Sequence, residues 1–176
     1  GLVRQRAVHA LVALETKGSR AGQARLLAAL EDPDADVRAA AATGLGRIGT
    51  ASAVPALFAA YDRGVVMALP AIGELAGRES VDPLFARISS GVIEPIAPVL
   101  DRMLARKKLS SADQVKLVRR VAALGTPSAR AYLLAWLDRI KLEQATQVKS
   151  ALFAALKSLD EGSAQVASAA TTSSTP

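Results

Sequence analysis

The chain has 176 residues, 51% of them hydrophobic but only 3% aromatic, and a formal net charge of +6. It contains no cysteine, which excludes disulfides and thiolate metal sites, and no charge-free run of about eighteen apolar residues marks a membrane span. Alanine and leucine dominate, which favours closely packed helices over a β-sandwich of β-branched and aromatic side chains.

The opening residues do not read as a signal peptide, because Arg4, Arg6 and His9 interrupt any apolar stretch. The first residue is Gly1, not Met, so the chain is expected to be a processed product or part of a longer protein, with the cytoplasm as the default compartment. Val3 to Leu14 has helical spacing, with Val3, Ala7, Ala10, Leu11 and Leu14 as its apolar face. It reads as the second helix of a repeat whose first helix lies upstream or is absent; if it is absent, that face is a raw edge, since stacked repeats need terminal caps. A polar break from Thr16 to Arg20 precedes a helix over 23–30, with Leu26, Leu27 and Leu30 inward.

Asp32-Pro33-Asp34 reads as a turn, and Asp36 as the cap of a helix starting at Val37. Val37, Ala40, Ala41, Gly44, Leu45 and Ile48 then share one face, with Gly49 as the stop. Gly44 and Gly46 lie within that helix, where they relieve helix contact rather than form a phosphate loop. Val54, Leu57 and Phe58 restart the period, and Pro55 fits only the first turn of this second helix.

The stretch from Asp32 to Leu57 resembles the bacterial HEAT-like repeat family of the PBS-lyase type, whose units read roughly as DPDxxVRxxAAxALGxIGDPxAVPxL. Asp32, Pro33, Asp34, Val37, Arg38, Ala41, Leu45, Gly46, Ile48 and Gly49 match in place, as do Ala53, Val54, Pro55 and Leu57. Thr50 and Ala51 depart from the pattern. The resemblance implies an all-α fold, a short α-solenoid of antiparallel helix pairs, with a binding or scaffolding role.

Compatible spacing continues to about Leu159. A helix over 65–76 follows the break at Arg63-Gly64, and Gly77 repeats Gly49 at an offset of twenty-eight residues. A short helix over 82–88 buries Leu84, Phe85 and Ile88, and Ser89-Ser90-Gly91 reads as a turn. The next helix spans 92–104, with Pro98 positioned to delay or bend it, and Pro70 poses the same question one unit earlier. Ser110 or Ser111 caps a helix over 112–124. Gly125-Thr126-Pro127 resembles the junction after Gly49 and precedes a helix over 129–140. A last helix over 143–159 has Leu152, Phe153, Leu156 and Leu159 on its apolar face. Residues 1–160 thus form the repeat domain, and the Ser/Ala/Thr-rich segment 161–176 is expected to be a flexible tail or linker.

The residues offer little chemistry. His9 is the single histidine, so a His-based metal site lacks a second imidazole. Asp32, Asp34 and Asp36 lack a calcium loop's glycine and distal glutamate. The paired His-Glu motifs of iron-binding HEAT-like hydroxylases are absent. A resemblance in fold and charge to HEAT-like DNA glycosylases would make Asp138, near Trp136, the acid candidate, but no motif specific to that family is present. The reading is therefore non-enzymatic, with no cofactor.

Charge is distributed unevenly. Residues 1–30 carry net +4, residues 31–101 net −5, and residues 102–120 net +6. Lys116, Arg119 and Arg120 share a helical face. The partner-binding candidates are Arg38, Arg47, Glu74, Arg102, Arg106, Lys116, Arg119 and Arg120. They suit a protein partner with an acidic surface, within a larger assembly. The alternative is nucleic acid held through the basic surface at 102–120. Tyr132 and Trp136, four apart, either stack on a base or pack against the adjacent helix.

Overall fold

Four of the helix starts are set by side chains that satisfy backbone N–H groups left open in a first turn. In a computed structural model, which describes residues 1–88, 92–106, 109–140 and 146–172, the Ser19 hydroxyl accepts from the Gly22 amide at 3.1 Å and the Ser110 hydroxyl from the Asp113 amide at 3.2 Å. Thr126 accepts from the Ala129 amide at 3.3 Å, with Pro127 as the first helical residue. Asp34, not Asp36, caps the central helix, accepting from the Asp36 amide at 2.9 Å and the Val37 amide at 3.4 Å. That helix therefore starts at Ala35, and Asp36 lies in its first turn, where a negative charge complements the helix dipole.

The described residues form ten α-helices and no strand. They are α1 (Leu2–Leu14), α2 (Arg20–Ala29), α3 (Ala35–Ile48), α4 (Val54–Asp62) and α5 (Ala68–Leu75), then α6 (Val81–Phe85), α7 (Ala97–Ala105), α8 (Ser111–Ala122), α9 (Pro127–Arg139) and α10 (Thr146–Thr172). The all-α expectation holds, but several boundaries differ. Helices α5 and α7 begin at Ala68 and Ala97, later than apolar spacing alone places them. Proline has no N–H and its ring clashes with a preceding helical turn, so each helix starts where Pro70 or Pro98 falls within the first turn. Helix α6 ends at Phe85 and leaves Ile88 half-buried. The expected turn at Ser89-Ser90-Gly91 and the start of the last helix at 143–145 lie outside the described residues. Helix α10 continues beyond Leu159 to Thr172.

The chain divides into two compact units. The first comprises Gly1–Ser80 and the segment from Pro98 that carries most of α7. Here α3 packs between α1 and α5, while α2 lies on α3 and α4 on α5. This is a short α-solenoid of consecutive helix pairs. Val37, Ala40, Ala41, Gly44, Leu45 and Ile48 are all buried, as their spacing requires. A Cβ at Gly44 would lie 2.6 Å from a Val12 methyl, and one at Gly46 would lie 3.0 Å from the Ala71 Cα. The two glycines thus let α3 approach α1 on one side and α5 on the other. The backbone amide of Gly18 donates to the Ile48 carbonyl at 2.7 Å, closing the end of α3.

Gln23 was not singled out by its spacing, yet it ties α2 to the turn after α3. Its side-chain oxygen accepts from the Thr50 amide at 2.8 Å, and its amide nitrogen donates to Ser52 at 2.9 Å. The second unit comprises Val81–Ala97 and the segment from Leu109, with α8, α9 and α10 in mutual contact. The two glycine junctions that look alike in sequence differ in backbone: Gly49 has φ −71°, whereas Gly125 has φ +66°, a left-handed turn that favours glycine.

Two apolar faces also differ from expectation. Helix α1 buries Val8 and Val12, while Val3 and Leu14 are 82% and 85% exposed. Helix α10 buries Val148, Leu152, Ala155 and Leu156, leaving Phe153 61% exposed. The i, i+4, i+7, i+8 row includes the small Ala155 and excludes the larger Phe153, one position out of phase.

Candidate interaction surface

The repeat length places residues about thirty apart beside one another, and the ion pairs follow that offset. In the first unit the Arg4 guanidinium grips Asp32 with two hydrogen bonds, 2.8 Å and 3.0 Å long, and Arg63 pairs with Glu31. In the second, Arg130 meets Asp160 at 2.7 Å. Exposed pairs of this kind add little stability singly. Their larger consequence is that they occupy charges that would otherwise face a partner.

The candidate residues separate on this basis. Arg38 donates to the Asp32 and Pro33 carbonyls at 2.8 Å and 2.9 Å, holding the turn before α3. Glu74 receives both Arg102, at 3.1 Å, and Arg106, at 2.8 Å. Arg102 also donates to the Pro70 carbonyl, and Arg106 to the Glu74 carbonyl. Arg102 in α7 and Arg106 just beyond it thereby tie this segment to α5, with Arg106 at the carbonyl end, where the helix dipole is negative. In the second unit, Arg120 pairs with Asp82 and lies over the Phe85 ring, 4.8 Å from its centre, fastening α6 to α8.

Arg47, Lys116 and Arg119 are different. All three are exposed and have no ion pair or hydrogen-bond partner among the described residues. Lys116 and Arg119 are one helical turn apart on α8, on the side away from the buried Leu117, Val118 and Val121. Lys107 and Lys108, part of the basic run, lie outside the described residues.

Tyr132 and Trp136 are both buried, with ring centres 6.3 Å apart, so their faces serve packing rather than base stacking. Asp138 and His9 are exposed. Among the described residues no three His, Asp or Glu side chains gather into a metal-holding group, and no helix is long and apolar enough to cross a membrane.

The carboxylates of the first turn carry a pH signature. The hydrogen bond from Arg4 holds the Asp32 carboxyl below its ordinary range, with help from the Asp34 amide. The Asp36 amide, and then that of Val37, lowers Asp34. A carboxyl depressed in the folded state stabilises above its unfolded pKa of about 3.9 and loses that contribution as pH falls through the folded value. Asp32→Asn is therefore expected to be less stable than the native chain near about pH 7, with the gap closing towards about pH 3. Urea melts of both proteins across that range measure it, and a gap independent of pH contradicts the assignment.

These features define a helical-repeat protein without an assembled catalytic group among its described residues. The family model for HEAT repeats matches residues 1–66, so the chain carries a HEAT-like repeat region over α1 to α4 and the turn that follows. No curated protein and no solved structure matches the chain.

Proposed function

We propose that the protein is a non-enzymatic interaction module that binds an acidic protein surface, as a scaffold or accessory subunit of a larger assembly. The observation that carries this reading is the pair Lys116 and Arg119, which present positive charge from one exposed helical face without an internal counter-ion among the described residues. Arg47 on α3, in the first unit, likewise has no partner among the described residues. Arg38, Glu74, Arg102 and Arg106 in the first unit, and Arg120 in the second, have their polar groups already engaged within their own units, so their part is to hold each unit's surface in shape. Nucleic acid is the weaker reading, because Arg102, Arg106 and Arg120 of the 102–120 run are bound to acids and the aromatic pair is buried. We also extend the repeat character beyond residue 66 to about residue 160, in the bacterial PBS-lyase-type pattern, with 161–176 as an appended segment.

Lys116→Glu combined with Arg119→Glu is expected to leave helicity and melting temperature unchanged while removing the protein partner in comparative affinity capture from the source cell. Unaltered capture of every partner moves the site off α8. Submicromolar anisotropy binding to an oligonucleotide, lost in the same double variant, puts nucleic acid first. Truncation after Asp160 is expected to shift the melting temperature by less than about 2 °C, a change that scanning calorimetry reads directly.

A further inference from the structure

Within the first unit, α3, α5 and the α7 segment carry charges in register on one face. Close helix contacts fix that register. A Cβ at Gly46 of α3 would lie 3.0 Å from the Ala71 Cα of α5, and one at Gly73 of α5 would lie 3.3 Å from the Val99 Cα of α7. Gly46 and Gly73 therefore mark the sides on which α3 meets α5 and α5 meets α7. The next residue in each helix lies about 100° further round, and these are Arg47 and Glu74. Both stand opposite a buried side chain, Leu45 in α3 and Ile72 in α5. Arg102 reaches the same face from α7, giving its Nη1 to Glu74 at 3.1 Å and to the Pro70 carbonyl at 3.3 Å. Arg106 gives its Nη1 to the other Glu74 oxygen at 2.8 Å.

Three arginines thus stand against one glutamate. Arg47 is exposed and has no partner among the described residues. Arg102 is anchored through Nη1, and its Nε and Nη2 have no partner among the described residues. That edge of a guanidinium is the one that takes both oxygens of a carboxylate. Asp36, the acid within α3, lies about three turns from Arg47. We infer that this face docks an extended acidic segment of another protein, laid across α3, α5 and α7, with one carboxylate on Arg47 and a second on the open edge of Arg102. Charge sets the class of partner, since the uncompensated arginines attract acids and repel basic segments. Helix spacing sets its pattern. Packed helices stand about 8–10 Å apart, so two spacings separate Arg47 from Arg102 by about 16–20 Å, or about six residues of extended chain. The site lies in the first unit and is independent of Lys116 and Arg119.

The test uses the full chain and three dye-labelled Gly/Ser peptides. One carries two Glu-Glu pairs with centres about six residues apart. The second has the same four glutamates in one block, and the third has lysines at the spaced positions. Fluorescence anisotropy at low salt is expected to show the spaced acidic peptide binding about fivefold more tightly than the block, which reaches one arginine at a time, and no binding of the lysine peptide. Arg47→Ala, at an exposed position, is expected to weaken the spaced peptide about fivefold with the melting temperature unchanged. Glu74→Gln is expected to tighten it, because the competing carboxylate is removed from Arg102 and Arg106, whereas a purely structural role for Glu74 gives no gain. Lys116→Glu with Arg119→Glu is expected to leave binding unchanged, which separates this site from the one on α8. Equal affinity for spaced and blocked acids, binding of the lysine peptide, or native affinity in Arg47→Ala overturns the inference. So does loss of binding in the α8 double variant.

Discussion

Leu45→Ala is expected to lower the stability of the first unit by roughly 2–5 kcal/mol. Leu45 is fully buried at the centre of α3, in the layer that α1 and α5 complete, and it is among the largest side chains with no exposure. Truncation removes its transfer free energy and leaves a cavity, and the cavity relaxes little because Gly44 and Gly46 already bring the neighbouring helices to contact. Alanine's better helix propensity returns only a few tenths of a kcal/mol. Since the chain contains two compact units, the denaturant transition assigned to the first is the one to follow, and a single global midpoint is a poor substitute. A loss below about half a kcal/mol places Leu45 outside the core.

The part of the fold that was legible in the sequence is the part where periodicity and capping agree. In α3 a carboxylate turn, a run of buried positions three and four apart and a glycine stop all point the same way. Helix α1 defeats the same reasoning, because residues on both of its sides are apolar and spacing alone cannot choose between Val3 with Leu14 and Val8 with Val12. The late starts of α5 and α7 were signalled by Pro70 and Pro98, whose steric demand outweighs the apolar period running through them. For the surface, the charge stripe on α8 was visible as composition, but its division was not. Arg120 is separated from Asp82 by thirty-eight residues, and Glu74 from Arg102 by twenty-eight. Only the stacking of one helix pair on the next shows which cations are already engaged, and that Lys116 and Arg119 have no partner among the described residues.

Gly46→Leu is expected to cost about 3 kcal/mol or more, by forcing α3 and α5 apart. The sign follows from two opposing terms. Replacing glycine within a helix recovers close to about 0.8 kcal/mol of backbone entropy and propensity. Against it, even a bare Cβ at this position lies 3.0 Å from the Ala71 Cα and 3.2 Å from its Cβ. The nearest atom is backbone, so no rotamer change relieves the contact, and a leucine adds three further carbons where the helices already touch. The adjustment open to the protein is a displacement of α5, which disturbs the packing of Leu69, Ile72 and Leu75 against their neighbours. Gly46→Ala separates the terms: with the Cβ alone, the expected net loss is about 1 kcal/mol, since the steric cost only modestly exceeds the propensity gain. Urea denaturation of the two variants reads both values. A stabilised Gly46→Ala together with a near-native Gly46→Leu would mean that α3 and α5 stand further apart than a glycine contact, and that the stacking of the inner helices is looser than the buried row from Val37 to Ile48 implies.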